Sequence, residues 1–217
     1  VRTQNRPLVT GVITPRAAMI FAIALEIVAF CVLFVGANLL AACLAISATL
    51  FYVFVYSLWL KRTSKQNIVI GGAAGAMPVL VGWAAVTPSL SWAPIVLFVV
   101  IFLWTPPHFW ALAIRHNDDY KAAGIPMLPV VESLERTVRS MTTYAVLLTI
   151  ATLVLVPVAE LGWIYGITAL VFGVAFVIGS VRLGKDPSEK RAMRLFTFSI
   201  SYVTAVFVAL TVDVLVR

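Results

Sequence analysis

Four side chains suited to binding or proton chemistry fall at helical spacing near the middle of this chain: Trp104, His108, Arg115 and Asp119, separated by four, seven and four residues. On one continuous helix those steps keep them on a single stripe. His108 and Asp119 would then lie about 16 Å apart, at 1.5 Å rise per residue. The first part of the segment, Trp104-Thr105-Pro106-Pro107-His108-Phe109-Trp110, lies inside an apolar run, and the last part, Arg115-His116-Asn117-Asp118-Asp119-Tyr120-Lys121, is a cluster of charges. Two successive prolines remove backbone donors beside His108 and break the helix's hydrogen-bond ladder there. Lipid tolerates freed backbone groups and a polar ring only where protein or a water-filled cavity surrounds them. The segment therefore predicts a helix lining an apolar chamber, with the charged cluster at the mouth.

An apolar chamber under a charged mouth suits a substrate with a long hydrocarbon part and an anionic head. Paired carboxylates hold Mg²⁺ on phosphate oxygens while Arg and Lys neutralise the remaining charge. A dry chamber keeps water from a carbocation-like centre. Asp118 and Asp119 are the only acidic residues adjacent in sequence, and Asn117 could add a neutral oxygen. The basic candidates are Arg115 and Lys121 beside them, Lys61 and Arg62 after the second apolar run, and Arg2 and Arg6 near the start. Each has a plainer role open to it. One aspartate could cap a short helix leading to Gly124, Lys61 and Arg62 could be topology anchors, and His116 reads as a solvated loop residue. Arg2 and Arg6 share a face if helical, but Pro7 biases Arg6 towards extended backbone, so they could flank a turn instead.

The elements that must position these groups are membrane spans. The chain is 62 % hydrophobic and 12 % charged over 217 residues, with mean hydropathy +1.03; a soluble core of that richness would lack polar surface to cover it. Seven apolar runs read as spans: Ala17–Val35, Leu39–Leu60, Ile68–Val86, Trp92–Ile114, Met141–Ala159, Leu161–Val181 and Leu195–Val212. Each is close to the roughly 18 residues that cross a bilayer. Connections are short, so 1–217 reads as one domain. The net charge of +7 is distributed as a topology signal and argues against a nucleic-acid partner: fifteen of the sixteen Lys and Arg residues fall on one side, and only Arg217 on the other. By the positive-inside rule that side is cytoplasmic, or the mitochondrial matrix, with the C-terminus outside.

Within the spans, Glu26 is costly in lipid and should face the bundle interior. Gly71 with Gly75, and Gly72 with Ala76, place small residues four apart, which allows close helix approach, and Pro78 should kink that helix. Trp83, Trp104 and Trp110 could wall a binding site. Cys31 and Cys43 read as buried thiols rather than a disulfide.

Three blocks carry a resemblance. Arg2-Thr3-x-x-Arg6-Pro7-Leu8, Asn67-Ile68-Val69-Ile70-Gly71-Gly72-Ala73-Ala74-Gly75-Ala76, and Trp104–Ile114 with Asp119-Tyr120 and Gly124-Ile125-Pro126-Met127-Leu128-Pro129-Val130-Val131 resemble, in order, signatures of the haem-farnesylating branch of the UbiA intramembrane prenyltransferases. The resemblance implies an all-α integral membrane bundle of nine helices, seven of them present here. The two N-terminal helices and an Asn-x-x-x-Asp-x-x-x-Asp motif would precede Arg2. It implies transfer of farnesyl from farnesyl diphosphate to a vinyl group of haem B, with Mg²⁺ as cofactor. On that reading His108, Arg115 and Asp119 are the catalytic candidates and Asp118 and Asp119 the metal ligands. Arg2, Arg6, Lys61, Arg62, Lys121, Trp104 and Trp110 bind substrate. His108 would serve in haem contact or proton transfer, although a lone buried histidine is often a structural hydrogen-bonding residue. A bacterial plasma membrane is favoured over the mitochondrial inner membrane, with haem A synthase or oxidase assembly proteins as candidate partners.

Two other classes compete. A secondary transporter should show internal symmetry and paired midplane polar groups, and neither is evident. A non-catalytic oxidase assembly factor leaves the diphosphate-type charge unexplained. Within enzymes, a prenyltransferase acting on an aromatic acid would carry a richer second aspartate motif than this one.

Overall fold

The computed structural model describes residues 4–216, which are helical wherever they are regular. Seven helices are long and apolar enough to cross a membrane: α1 (Pro15–Gly36), α2 (Leu39–Thr63), α3 (Asn67–Val86), α4 (Trp92–Arg115), α7 (Leu134–Val158), α8 (Trp163–Lys185) and α9 (Glu189–Val216). Two short helices, α5 (Asn117–Ala122) and α6 (Leu128–Val131), occupy the connection between α4 and α7. The seven apolar runs thus become the seven spans, and the helices extend beyond the runs into the basic connections.

Helix ends are held by side chains that sequence order places there. Thr14 accepts the Ala17 N–H at the start of α1, directly before Pro15, and Ser133 accepts the Arg136 N–H at the start of α7. Asn38 accepts the Ala41 N–H of α2 at 3.0 Å and donates to the Ala84 carbonyl of α3 at 2.5 Å, so one amide caps one helix and ties it to another. Helix α8 begins at Gly162, which has no side chain to cap with. The buried Asp213 of α9 accepts the Gly162 and Tyr165 N–H groups instead, at 2.5 and 3.2 Å.

Helix α4 is the central span, packed against α3, α7 and α9, with α8 closing on α7 and α9. On the other side the chain continues outward from α3 to α2 and from α2 to α1. Close approach rests on small residues: Gly72 lies under Thr105 of α4, and Gly173 of α8 under Thr149 of α7. A buried polar seam joins three spans where Tyr165 donates to the Thr152 carbonyl at 3.1 Å and the Thr152 and Tyr202 hydroxyls meet at 2.6 Å. In α1 no residue is buried; its half-covered side chains, Ala18, Glu26, Phe30, Leu33 and Ala37, form one stripe. Glu26 therefore faces inward with that stripe. Cys31 and Cys43 are unbridged, but both are exposed on the outer surface rather than buried.

The prolines remove two donors from the ladder, yet α4 stays helical through Pro106 and Pro107 to Arg115. Proline's fixed φ matches a helix, Thr105, Pro106 and Pro107 are buried among neighbouring spans, and Thr105 bonds back to the Ile101 carbonyl at 2.8 Å. Neighbouring helices and Ser/Thr side chains are what make proline tolerable inside a span. The chain turns at His116 instead (φ −103°, ψ 28°), where Asn117 donates to the Pro129 carbonyl at 2.6 Å and pulls α5 aside. Helix α3 is likewise helical on both sides of Pro78.

The basic end is also laced together. Glu132 accepts from Lys65 at 2.6 Å and from Arg136 at 2.7 Å, joining the α2–α3 connection to the start of α7. These two cations hold the Glu132 carboxyl below the usual carboxylate range. A depressed acid stabilises the fold above its unfolded pKa, and the contribution disappears as pH falls through the folded value. Thermal stability should therefore hold from neutrality down to about pH 5 and then drop below about pH 4. Glu132→Gln should lower stability at neutral pH and flatten that acid limb. An acid limb unchanged in the variant would contradict this role.

Candidate active site

A cavity of about 550 Å³ opens between α2, α3 and α4. Ala48, Thr49, Tyr52 and Tyr56 of α2 form one wall, Ile68, Gly71, Gly72, Ala74 and Gly75 of α3 the second, and Ile101, Trp104, Thr105 and Phe109 of α4 the third. No Asp, Glu, Lys, Arg or His lines it, so this is the apolar chamber that the sequence implied. Its shape has two causes. The α3 wall is built from small residues; at Gly75, nothing lies within 4 Å of where a Cβ would stand. The α2 wall is π-helical from Phe51 to Leu60, a wider turn that is rare in long runs and frequent at functional sites. Tyr52 and Tyr56 stack there at 5.3 Å, and the Tyr56 ring fills the space left by the missing side chain of Gly71.

The chamber's α3 wall comes from the first half of that helix, close to the basic end of the bundle. Lys61, half-buried, and the exposed Arg62 end α2 there. Asn67 is 1 % exposed; its Nδ2 donates to the Lys61 carbonyl at 3.4 Å, and its Oδ1 is buried with no partner. Sequence reasoning recorded Asn67 only as the first letter of a signature block. The signal available was an amide directly preceding the apolar run, between a basic pair and a glycine-rich wall.

At the end of α4, Arg115, Asp118, Asp119 and Lys121 are all exposed. Asp119 is 73 % exposed, and its carboxylate lies 3.4 Å from the His116 ring. Neither aspartate supplies a side-chain cap to α5. The short helix ends at Gly124, whose φ of +64° favours glycine, with Ile125 N–H bonded back to the Tyr120 carbonyl at 3.0 Å. Arg6 stands in an exposed turn ahead of α1, its carbonyl accepting the Val9 and Thr10 N–H groups. Arg2 lies outside the described residues.

The proposed stripe divides. Trp104 reaches the chamber wall, and its Nε1 donates to the Ser199 carbonyl of α9 at 2.8 Å. His108 is 8 % exposed and lies in the α4–α9 seam, stacked between Trp104 at 4.2 Å and Phe196 at 4.5 Å. Its Nδ1 meets the Ser199 hydroxyl at 2.6 Å, and that hydroxyl donates to the Phe196 carbonyl. A hydroxyl has one proton to give, so Nδ1 carries the ring proton and Nε2 is the bare nitrogen. Asp119 sits on a separate helix beyond the turn at His116, so a single continuous helix does not connect it to His108. Trp110 is turned into the core against Tyr144 of α7, 5.6 Å between rings, and does not line the chamber. Trp83 lies further along α3 than the chamber residues.

Among the described residues, no three His, Cys, Asp or Glu side chains converge as a metal cage. The chemistry of the donor pair does fit one kind of ion. Mg²⁺ keeps several waters and is commonly held by one or two carboxylates together with substrate phosphates, and Asp118 and Asp119 are two exposed carboxylates beside Arg115 and Lys121.

These features define a multi-span α-helical membrane protein built around a small-residue apolar chamber with a strongly basic end. The chain belongs to the UbiA prenyltransferase family, whose sequence model matches residues 1–203. It is 52 % identical to a protoheme IX farnesyltransferase of Gloeobacter violaceus over 98 % of this chain and 70 % of that one. It is 50 % identical to the protein of that name from Trichormus variabilis, over 98 % and 67 % of the two chains. Its fold is similar to a solved structure of a digeranylgeranylglyceryl phosphate synthase, with TM-score 0.81 at 20 % identity over 98 % of this chain and 75 % of that one.

Proposed function

We infer that this chain transfers the farnesyl group of farnesyl diphosphate to a vinyl group of haem B, forming haem O for terminal oxidases. The observation that carries the reading is identity at about half of all positions, over nearly the whole chain, with proteins named protoheme IX farnesyltransferase. The chamber supports it, because an isoprenoid chain needs an apolar, water-poor channel ending at a cationic surface. The allylic C–O bond breaks and its electron pair leaves with diphosphate. The vinyl π electrons form the new C–C bond, and the cation left beside the macrocycle is captured by water, which gives up a proton and leaves the hydroxyl group of haem O.

In this reading the chamber holds the tail, with Trp104 and Tyr56 in its wall. Lys61, Arg62, Arg115 and Lys121, together with Arg2 and Arg6, meet the departing diphosphate. Asp118 and Asp119 hold Mg²⁺, which supplies positive charge against the leaving group when bound. His108 is a positioning residue that fixes the Trp104 wall through Ser199. Residues 1–217 form one transmembrane prenyltransferase domain. It sits in a bacterial plasma membrane with the basic end cytoplasmic, and haem A synthase or oxidase assembly proteins are its candidate neighbours.

Membranes bearing the protein, given haem B and farnesyl diphosphate, should yield haem O by mass only when Mg²⁺ is present. Asp119→Asn should raise the Mg²⁺ concentration for half-maximal turnover roughly tenfold, the scale of one charged contact. No product, or equal product under chelation, would sink the mechanism. Orientation has its own check: a reporter fused after Arg217 should be active outside the cytoplasm, and cytoplasmic activity would reverse the topology.

A further inference from the structure

A second groove, of about 650 Å³, lies between α8 and α9 and shares no lining residue with the α2–α3–α4 chamber. Its floor is apolar, formed by Ala175 and Ile178 of α8 and Leu195 and Phe198 of α9. At its basic end stand three arginines, Arg182, Arg191 and Arg194. Their states differ. Arg191 is committed, bonding Asp186 at 2.9 Å and donating to the Arg182 carbonyl at 3.1 Å. The guanidinium groups of Arg182 and Arg194 have no ion pair or hydrogen bond among the described residues, and both are exposed.

Both walls are membrane spans, so the apolar floor lies at the depth of the hydrocarbon while the arginines stand at headgroup level. The uncommitted charge is positive and is placed where an acyl chain along the floor would present its phosphate. A zwitterionic headgroup would bring its own cation to these arginines; an anionic one would not. Basic pockets between spans are a known form of headgroup recognition. We propose that the α8–α9 groove is a binding site for one anionic phospholipid, its phosphate held by Arg182 and Arg194 and an acyl chain lying over Ala175, Ile178 and Phe198. The ordered Arg191–Asp186 pair fixes the α8–α9 turn, so the two free arginines are held at a set separation across the groove. This site is independent of the farnesyl-transfer reading.

The test is native mass spectrometry of the detergent-purified protein with phosphatidylglycerol or phosphatidylcholine of identical acyl chains. Phosphatidylglycerol should be retained more tightly than phosphatidylcholine, and Arg182→Gln with Arg194→Gln should remove the preference. Each arginine is expected to contribute about fivefold, so the double variant should lose about 25-fold. Arg16→Gln with Arg139→Gln removes the same charge elsewhere at the basic end and should leave the preference intact. Equal retention of the two lipids by the unmodified protein would overturn the proposal without any variant. Equal loss in the Arg16/Arg139 control would overturn it too, because the attraction would then be diffuse surface charge. The thermal midpoint of each variant in phosphatidylcholine checks its fold.

Discussion

His108→Ala should unfold the protein at a markedly lower temperature while leaving affinity for a non-hydrolysable farnesyl diphosphate analogue within about threefold of the unmodified protein. The substitution removes a ring stacked on Trp104 and Phe196 and a 2.6 Å hydrogen bond to Ser199. The lost bond is worth about 1 kcal/mol and the two ring contacts about 0.5–1.5 kcal/mol each, and the buried cavity adds to this. A total near 3 kcal/mol corresponds to a fall in midpoint of roughly 6–12 °C for a domain of this size. Ser199→Ala should reproduce the hydrogen-bond share alone, about 1 kcal/mol. Turnover should fall with the order of the Trp104 wall, and a bulky aromatic at position 108, His108→Phe, should restore part of it. If His108→Ala keeps its thermal midpoint yet loses turnover that His108→Phe does not recover, the ring takes part in chemistry and the positioning role is wrong.

Gly75→Phe should abolish farnesyl transfer without weakening the fold. Gly75 faces the chamber and has open space where a Cβ would stand, so a phenyl ring is accommodated by occupying the substrate's volume. Displacing about four methylenes of the isoprenoid from burial costs about 3 kcal/mol, a loss on the order of a hundredfold in affinity. Replacing a mid-helix glycine also removes a source of backbone entropy, so thermal stability should be equal or slightly higher. Gly82→Phe is the matched control: it lies two turns further along α3, also with open space, and does not line the chamber. Both variants should fold and only Gly75→Phe should be inactive. Full activity in Gly75→Phe would place the isoprenoid elsewhere.

The spans were legible because membrane burial writes itself into long apolar runs, and the basic residues between them marked one end. Small residues at positions 71, 72, 75 and 76 correctly signalled a close helix contact. They did not show that Gly75 would open onto a chamber while Gly72 packs under Thr105, because that depends on which neighbouring span approaches each face. The π-helical stretch left no trace: Phe51–Leu60 reads as any apolar helix. Local chemistry removes two donors at Pro106 and Pro107, but α4 is packed on three sides and stays helical to Arg115, and the turn falls at His116, where the apolar run ends and Asn117 finds Pro129. His108 and Asp119 were grouped by a spacing rule that holds only while one helix continues.

The Asp213 carboxylate has a consequence for the order in which the protein is assembled in the membrane. Spans enter the bilayer in sequence, so α8 arrives before the residue that satisfies its first N–H groups has been synthesised. Unpaired backbone donors are costly away from water, and Gly162 supplies no side chain of its own. The first turn of α8 therefore settles only when α9 has crossed and delivered its carboxylate from near the far end of that helix. Helices α8 and α9 are in this sense a single insertion unit, a hairpin closed by its last turn. The last turns of α9 thereby govern the maturation of a span that begins some fifty residues earlier.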